Sequence, residues 1–341
     1  MNPYTTLTIA LSLALGISTV ISSHHWMLAW LGLEINTLAI LPLMMKYPHP
    51  RATEAATKYF LTQASASALM LFSCTINAWT CGEWATTTMT NIIPVNLLTI
   101  AIMMKLGVAP FHFWMPDVLQ GLTLPTGLIL STWQKLPPVA LLLQFSQSMS
   151  LELLLTMGLL STIIGGWGGM NQTQLRKILA YSSIAHLGWT VTVLKVSSQL
   201  ALFNFLIYTL ITSTLFLALI NINTKNMSDM MLSWSKTPPL TTLTLLTLLS
   251  LSGLPPLTGF LPKWMITQEM IKQHLTLFAS TMLLSTLLSL FFYLRLSYIM
   301  SLTLAPNLSH AASSWPYDIK TGTAISITLS LLILPTYPLI M

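Results

Sequence analysis

Long apolar stretches, separated by short clusters of polar and charged residues, run through the whole chain. A window of about 20 residues, the length that crosses a bilayer as a helix, predicts about eleven spans. Lipid offers exposed backbone groups no hydrogen-bond partner, and the alternation typical of a membrane barrel is missing from the sequence. The pattern therefore predicts an all-α polytopic membrane protein that forms one integral membrane domain over residues 1–341. The predicted spans are residues 3–21, 25–45, 57–80, 92–109, 123–145, 150–170, 175–195, 199–222, 238–270 with an interruption, 275–298 and 322–340.

The composition agrees with a membrane setting. Only 14 Lys and Arg and 8 Asp and Glu occur among 341 residues, whereas about a quarter of the residues in a soluble domain are charged. The first span lacks the basic segment of a signal peptide, so we expect it to be retained as a helix. The spacing of Cys74 and Cys81 matches no common metal or iron–sulfur pattern, and both are expected to be packing residues.

Positive charges are distributed unevenly between the predicted loops. Lysines and arginines that flank even-numbered loops are Lys46, Arg51, Lys58, Arg176, Lys177, Lys225, Lys236, Arg295 and Lys320, whereas Lys195 and Lys272 flank odd-numbered loops. The positive-inside rule therefore predicts an N-terminus on the cytoplasmic or matrix side and, after eleven spans, a C-terminus on the opposite side. Because the sequence has no basic stripe with interleaved aromatic residues, the net charge of +6 does not indicate a nucleic-acid partner.

Two segments, KLGVAPFHFWMPD and LSGLPPLTGFLPKW, repeat one Gly and Pro pattern at an offset of 146 residues. The pattern consists of Gly107, Pro110 and Pro116 in the first copy and of Gly253, Pro256 and Pro262 in the second. Proline removes a backbone donor and clashes with the preceding turn, so each copy predicts a spanning helix that is broken within the membrane. Paired broken helices are typical of transporters with internal repeats. The copies lie in the fourth and ninth predicted spans, and this separation of five spans would make the repeats inverted. Chance similarity is the alternative, because membrane helices are rich in both residues.

Three lysines, Lys105, Lys135 and Lys263, lie inside or beside apolar stretches, and each is close to a Gly or Pro break. A charge at membrane depth is costly, so these lysines favour a functional interpretation. Lys135 is about twelve residues, or roughly 18 Å, from the start of its span, and must face protein or water. Burial disfavours the ammonium form of such a lysine and suits it to exchange a proton. The alternative, a side chain that snorkels to the lipid headgroups, is expected of residues near helix ends. These residues are Lys46, Lys195 and Arg295.

Glu34 is the only charged residue of the second predicted span and lies near its middle. An isolated buried carboxylate would take up a proton, whereas a carboxylate beside Lys105 can stay ionised and hold that lysine charged. We therefore expect Glu34 and Lys105 to form a pair. Such a pair acts as a switch if separation of the charges drives the lysine's proton onward, and the alternative is a static structural ion pair.

His112 lies in the first break, and His186 lies among hydroxyl-bearing residues of the seventh span. Each can relay protons, because imidazole titrates near neutral pH. A buried, hydrogen-bonded neutral histidine is the alternative for both. No further His, Cys or carboxylate completes a ligand set at helical spacing, and no dinucleotide or triphosphate motif occurs. The sequence therefore predicts neither a bound metal nor a bound cofactor.

Five segments in order carry a resemblance to a known family: LGLEINTLAILPLM, KLGVAPFHFWMPDVLQG, LSTWQKLPP, YSSIAHLGW and LSGLPPLTGFLPKW. They closely resemble the antiporter-like chain 2 family of NADH:ubiquinone oxidoreductase, respiratory complex I. The resemblance covers essentially the whole chain. It implies two inverted five-helix repeats with broken helices, here approximately residues 1–147 and 148–300, followed by a final helix at approximately 322–340. It also implies a multi-pass protein of the mitochondrial inner membrane, with its N-terminus in the matrix and its C-terminus in the intermembrane space.

The same resemblance implies a function. Members are held to translocate protons, with Glu34 and Lys105 as the modulating pair, Lys135 as the central lysine and Lys263 on the exit side. FMN, iron–sulfur clusters and ubiquinone are expected in partner subunits, so this chain would carry no redox centre. Its expected partners are the other membrane-arm and accessory subunits of complex I, phospholipids and protons. A stand-alone or Mrp-type cation/proton antiporter subunit is the alternative function, and a structural spacer is the third.

Overall fold

The computed structural model describes residues 2–86, 89, 91–302 and 321–332, and within these residues the regular structure is helical, without a strand. The helices are α1 (Pro3–Ser22), α2 (Trp26–Met44), α3 (Pro50–Cys81), α4 (Ile92–Leu106), α5 (Trp114–Gly121), α6 (Leu124–Ser131), α7 (Leu136–Gln144), α8 (Leu151–Met170), α9 (Leu175–Val193), α10 (Ser198–Ile222), α11 (Met227–Met231), α12 (Ser233–Lys236), α13 (Pro238–Ser252), α14 (Phe260–Lys272), α15 (Thr276–Leu302) and α16 (Thr321–Leu332). A single 3₁₀ turn, Trp133–Lys135, joins α6 to α7.

Six of the described helices are long and apolar enough to cross a membrane, which makes the chain a multi-pass membrane protein. They are α1, α2, α3, α8, α10 and α15, and α4, α13 and part of α16 are shorter apolar helices. Many large apolar side chains on them point outward, such as Leu7, Leu11 and Leu15 at four-residue spacing along α1. An exposed apolar face of this kind suits lipid or a partner subunit rather than water.

Several predicted span boundaries differ from the helices. The predicted span 57–80 begins too late, because Pro50 starts α3 and the ring nitrogen of His49 accepts a hydrogen bond from the Arg51 N–H at 3.2 Å. The predicted span 92–109 ends too late, because α4 stops at Leu106. Of the predicted span 322–340, the structure describes the part up to Leu332, and the remainder lies outside the described residues.

The predicted continuous helix 123–145 is wrong. It is divided into α6, the 3₁₀ turn and α7, with Lys135 in the turn. Pro137 and Pro138 lack an N–H group, so they fit the first turn of a new helix and would clash within a continuing one. The segment is apolar over its length, as predicted, but α6 ends at Ser131 and a new helix begins at Leu136.

The two predicted breaks have similar backbone patterns. Helices α4 and α13 each have 15 residues and start 146 residues apart. The helices that follow the breaks, α5 and α14, also start 146 residues apart. Gly107 and Gly253 end the first helices with φ of 74° and 86°, a conformation that favours glycine. The N–H of Phe111 donates to Val108 O at 2.9 Å, and the corresponding N–H of Leu257 donates to Leu254 O at 3.0 Å. Further helices match in length, since α1 and α8 have 20 residues each and α2 and α9 have 19 each.

The described residues form two compact units. One consists of the residues up to Ser161 together with Leu194–Ser198, and the other consists of Thr162–Val193 and the described residues from Gln199 onward. In the first unit α1 packs against α2, and α3 packs against α4 and α5. In the second unit α15 packs against α13, α14 and α9, and nearly all of α9 from Ile178 to Val193 is buried.

Buried hydroxyl groups in the helices are satisfied by their own backbone. Along α13 the side chains of Thr241, Thr244, Thr247 and Ser250 each donate to the carbonyl oxygen three residues earlier, at 2.7 to 2.8 Å. A serine or threonine can therefore lie in an apolar environment without an unpaired donor.

Glycines in the second half of α8 allow close contact with neighbouring helices, as the G-x3-G spacing indicates. A Cβ on Gly165 would lie 2.7 Å from the Ala185 backbone nitrogen and 2.9 Å from the Tyr181 carbonyl oxygen. Backbone atoms cannot rotate away as a flexible side chain can, so α8 and α9 would have to separate.

We expect Gly165→Ala to destabilise the protein by about 1–3 kcal/mol, the usual cost of overpacking. Gly322→Ala is the control, because a Cβ at Gly322 meets no atom within 4 Å. The measurement is the thermal unfolding midpoint of the purified protein in detergent. Equal midpoints for the two variants would contradict the close packing of α8 on α9.

Candidate functional site

Glu34 and Lys105 lie side by side in the first unit, as the sequence predicts. Lys105 Nζ is 3.5 Å from Glu34 Oε1, and their side chains are 2% and 21% exposed. Glu34 lies in the middle of α2, and the Thr37 hydroxyl, one turn later, lies 3.3 Å from Glu34 Oε2 as a donor. The carboxylate thus has a polar neighbour besides the lysine.

Lys105 occupies the last turn of α4, directly before the first break. The free carbonyl groups at a helix C-terminus carry partial negative charge, so a cation is stabilised there. These carbonyls also receive side-chain donors, because Trp114 Nε1, directly after the break, donates to Met104 O at 3.2 Å and Gln63 Nε2, on α3, lies 3.5 Å from Lys105 O. The helix end is therefore a polar place within an apolar core.

Lys135 is 3% exposed and lies in the 3₁₀ turn between α6 and α7. The neighbouring Gln134 Nε2 donates to Asn36 O at 3.0 Å, which ties this turn to α2. A cavity of about 20 Å³ is lined by both Lys105 and Lys135, and a space of this size holds about one water molecule. The site of the first unit thus comprises Glu34, Lys105, Lys135 and the cavity between the two lysines.

Lys263 lies in the second unit at the second break. It is 7% exposed, and its Nζ donates to Ser252 O at 3.0 Å in the last turn of α13. A Cβ on Gly253 would approach that Nζ to 2.9 Å, so the glycine makes room for the amine as well as for the turn. Within the described residues no carboxylate forms an ion pair with Lys263, in contrast to Lys105.

The two histidines predicted as alternative relay groups are both buried. His112 Nδ1 lies 3.2 Å from Pro110 O in the first break, and since a carbonyl only accepts, Nδ1 donates. This contact fits the structural interpretation of His112. His186 lies in α9 with its ring 5.5 Å from that of Tyr208. A relay role for His186 stays a prediction.

Two of the three residues expected to snorkel donate instead to backbone carbonyls. Lys195 Nζ donates to Met149 O at 2.6 Å, and Arg295 Nη1 donates to Met170 O, at the end of α8, at 2.7 Å. Both side chains are partly buried. Met170 ends α8, where the last carbonyls attract a cation, whereas Met149 lies in the connection between α7 and α8. Lys46 is exposed, with its Nζ 5.6 Å from the centre of the Tyr47 ring.

Sequence reasoning missed an exposed charge cluster at the end of the first break. Lys58 Nζ lies 2.8 Å from both Glu54 Oε1 and Asp117 Oδ2, which joins α3 to α5. The spacing of Glu54 and Lys58 on one helix face signals their pairing, but no sequence signal links Lys58 to Asp117 across 59 residues. Metal chemistry has no evident place in the described residues, where no three His, Cys, Asp or Glu side chains are grouped as ligands.

Comparison with known proteins shows the family of this chain. Residues 23–289 match the family described as NADH:quinone oxidoreductase/Mrp antiporter, TM, and residues 290–341 match NADH dehydrogenase subunit 2 C-terminus. NADH-ubiquinone oxidoreductase chain 2 of Xenopus laevis is 58% identical over 342 residues, which is 99% of either chain. The chain belongs to the NADH-ubiquinone oxidoreductase chain 2 family. Aquarana catesbeiana has a further member that is 56% identical over 340 residues.

Solved structures agree with this membership of the chain 2 family. A chain of respiratory complex I from Thermus thermophilus with bound aureothin is 28% identical, with a TM-score of 0.85 over 98% of this chain and 80% of that chain. A chain of the Mrp complex from Dietzia sp. has a TM-score of 0.78 at 17% identity, over 85% of this chain and 59% of that chain, which shows a shared fold alone. The chain therefore has the antiporter-like helical fold that the sequence predicts.

We expect Glu34→Gln to destabilise this chain 2 family member by about 3 kcal/mol, because a buried lysine loses its carboxylate. The double variant Glu34→Gln/Lys105→Met should be less destabilised than Glu34→Gln alone, since no unpaired amine remains. Glu152→Gln, at an exposed position in α8, is the matched control and should be nearly neutral. Thermal unfolding of the purified variants measures all three, and strict additivity in the double variant would show that the two charges do not interact.

Proposed function

We propose that Glu34, Lys105, Lys135 and Lys263 move protons through this chain, which as a member of its family is a membrane subunit of NADH:ubiquinone oxidoreductase. The observation that carries the proposal is the cavity lined by Lys105 and Lys135 next to the Glu34–Lys105 pair. Buried ionisable residues are expensive in a membrane, and their grouping around a space for water indicates proton transfer rather than stability alone.

The proposed proton transfer begins at the pair of Glu34 and Lys105. While Glu34 lies beside Lys105, the carboxylate stabilises the ammonium form of the lysine. If the carboxylate moves away or is neutralised, the ammonium ion is left in an apolar core and its proton affinity falls. The proton then passes to the neutral amine of Lys135 across the cavity, and Lys105 is left neutral until it is reprotonated. Lys263 takes the exit-side step, as the family resemblance implies.

Energy for this movement comes from partner subunits. Moving one charge against the membrane potential costs about 2.3 kcal/mol per 100 mV, so the pair must be biased by an external change. FMN, iron–sulfur clusters and ubiquinone are assigned to those partners, and this chain contributes proton transfer alone. The other membrane-arm and accessory subunits supply the bias through conformational or electrostatic contacts.

The proposed topology has eleven spans in two inverted five-helix repeats, at approximately residues 1–147 and 148–300, with a final helix at approximately 322–340. The matching lengths of α1 and α8, of α2 and α9, and of α4 and α13 support these repeats. The protein lies in the mitochondrial inner membrane among phospholipids, with the N-terminus in the matrix and the C-terminus in the intermembrane space. The bias of Lys and Arg toward even-numbered loops supports this orientation.

An Mrp-type or stand-alone antiporter is the weaker alternative. The likeness to the Mrp chain is one of fold at 17% identity, whereas full-length relatives at 53–58% identity are oxidoreductase chains. A purely structural role would not explain why three lysines are buried. Cation/proton exchange by the isolated chain in vesicles would favour the antiporter.

We expect Lys135→Met to abolish most NADH-driven proton pumping through this subunit, because the group that receives the proton is lost. The measurement is the number of protons pumped per electron pair by the assembled complex in vesicles. Lys225→Met is the control, because Lys225 is exposed and lies in a turn before α11. Normal pumping by a normally assembled Lys135→Met complex would exclude a transport role for Lys135.

Gly253→Ala and Gly107→Ala form a matched pair that tests Lys263. Both place an alanine at positive φ, with a shared backbone strain of about 1–2 kcal/mol. Only Gly253→Ala pushes a Cβ against a lysine amine, since a Cβ at Gly107 meets the Trp114 ring at 3.2 Å. We expect similar assembly but a larger loss of pumping for Gly253→Ala. Normal pumping in a normally assembled Gly253→Ala complex would indicate that the position of the Lys263 amine does not matter.

A further inference from the structure

Gln134 connects the helix that carries Glu34 to the turn that carries Lys135. Its side chain is half-buried, and its Nε2 donates to the backbone carbonyl of Asn36 in α2 at 3.0 Å. Along the chain, Gln134 directly precedes Lys135, and Asn36 lies two residues after Glu34. One side-chain hydrogen bond therefore links the surroundings of the carboxylate to those of the central lysine.

The turn that contains Gln134 is held only weakly by its own backbone. The N–H of Lys135 donates to Thr132 O at 3.2 Å, the spacing of a 3₁₀ turn. Pro137 and Pro138 have no N–H, so neither can donate to the Gln134 carbonyl as the corresponding residues of a continuous helix would. A 3₁₀ segment inside a helix often marks a hinge, because its hydrogen bonds have poorer geometry. The position of the turn therefore depends on contacts with other helices.

Helix α2 does not need the hydrogen bond from Gln134. Asn36 lies inside α2, where a carbonyl oxygen accepts from the N–H four residues later, here that of Ile40. A carbonyl oxygen has two lone pairs, so Gln134 is a second donor to a group that the helix already satisfies. The bond thus fixes the turn to α2 and does not serve to complete α2.

The position of this turn also shapes the cavity beside the lysines. Gln134 and Lys135 both line that cavity, together with Lys105 of α4. Its volume is about 20 Å³, so a small shift of the turn is a large change in the space between the two amines.

We propose that Gln134 couples Glu34 to Lys135, by holding the turn of the central lysine to α2 when α2 moves. The inference rests on the proposed function and adds to the relay a positioning residue that exchanges no proton. When α2 carries Glu34 away from Lys105, the turn follows α2. The separation of the two amines then changes in the same movement that lowers the proton affinity of Lys105.

Two glutamines that donate to backbone carbonyls form a matched pair of test sites. Gln134→Met keeps the length of the side chain and removes the donor. In the assembled complex, the part of the pumping that Lys135→Met abolishes should fall about fivefold, the factor that one net hydrogen bond supplies. Gln144→Met is the control, because Gln144 Nε2 at the end of α7 donates to Ile21 O at 3.2 Å, away from the turn. Equal pumping in the two variants overturns the proposal.

A third variant separates the donor from packing. Gln134→His places a ring N–H at about the same reach from the backbone as the amide nitrogen of glutamine. We expect Gln134→His to recover pumping relative to Gln134→Met, because the turn is again tied to α2. An equal loss in both would mean that the hydrogen bond to Asn36 O is not what matters.

Cryo-EM maps of the unsubstituted complex, at rest and during NADH oxidation, decide the matter if the variants do not assemble. We expect Gln134 Nε2 within hydrogen-bond distance of Asn36 O in every class of particles, so that the turn keeps its position relative to α2. A class in which the two groups have separated overturns the coupling.

The failure of this inference differs from the failure of the relay itself. Normal pumping in Gln134→Met with a loss in Lys135→Met overturns the role of Gln134 and leaves the relay intact. Normal pumping in Lys135→Met overturns both.

Discussion

A free carbonyl group or a charge in an apolar environment needs a partner close by, and the organisation of this protein follows from that need. Ending a helix inside the membrane exposes carbonyl groups, which attract cations and donors. The ends of α4 and α13 are such places. Lys105 lies in the last turn of α4, and Lys263, which lies in α14, donates to a carbonyl in the last turn of α13. The two breaks therefore give Lys105 and Lys263 polar surroundings in an apolar core.

The two breaks have similar backbones but different donors to the end of the preceding helix. In the first, the Trp114 indole donates to the carbonyl of Met104, and Lys105 is free to pair with Glu34. In the second, Lys263 itself donates to the carbonyl of Ser252. Lys105 thus has a carboxylate on α2 as its partner, whereas the partner of Lys263 is a carbonyl at the end of α13.

The sequence predicted most of the helices and the main pair, because apolar length and an isolated charge are local signals. Glu34 and Lys105 could be paired from the sequence since each was a costly buried charge without a local partner. The division of the helix at Lys135 was missed because the long apolar stretch outweighed the two prolines that follow. Contacts such as Lys195 with Met149 O depend on which segments meet in space, and one sequence carries no such signal. The cavity that Lys105 and Lys135 line was equally hidden, because a void depends on the packing of several helices.

The hydroxyl row along α13 limits the hydrogen bonds that are available before the second break. Thr241, Thr244, Thr247 and Ser250 donate their hydroxyl hydrogens to the backbone, so each oxygen has only lone pairs left to offer. The row can therefore accept a hydrogen bond from a neighbouring donor, but it cannot donate one without breaking a bond to its own helix.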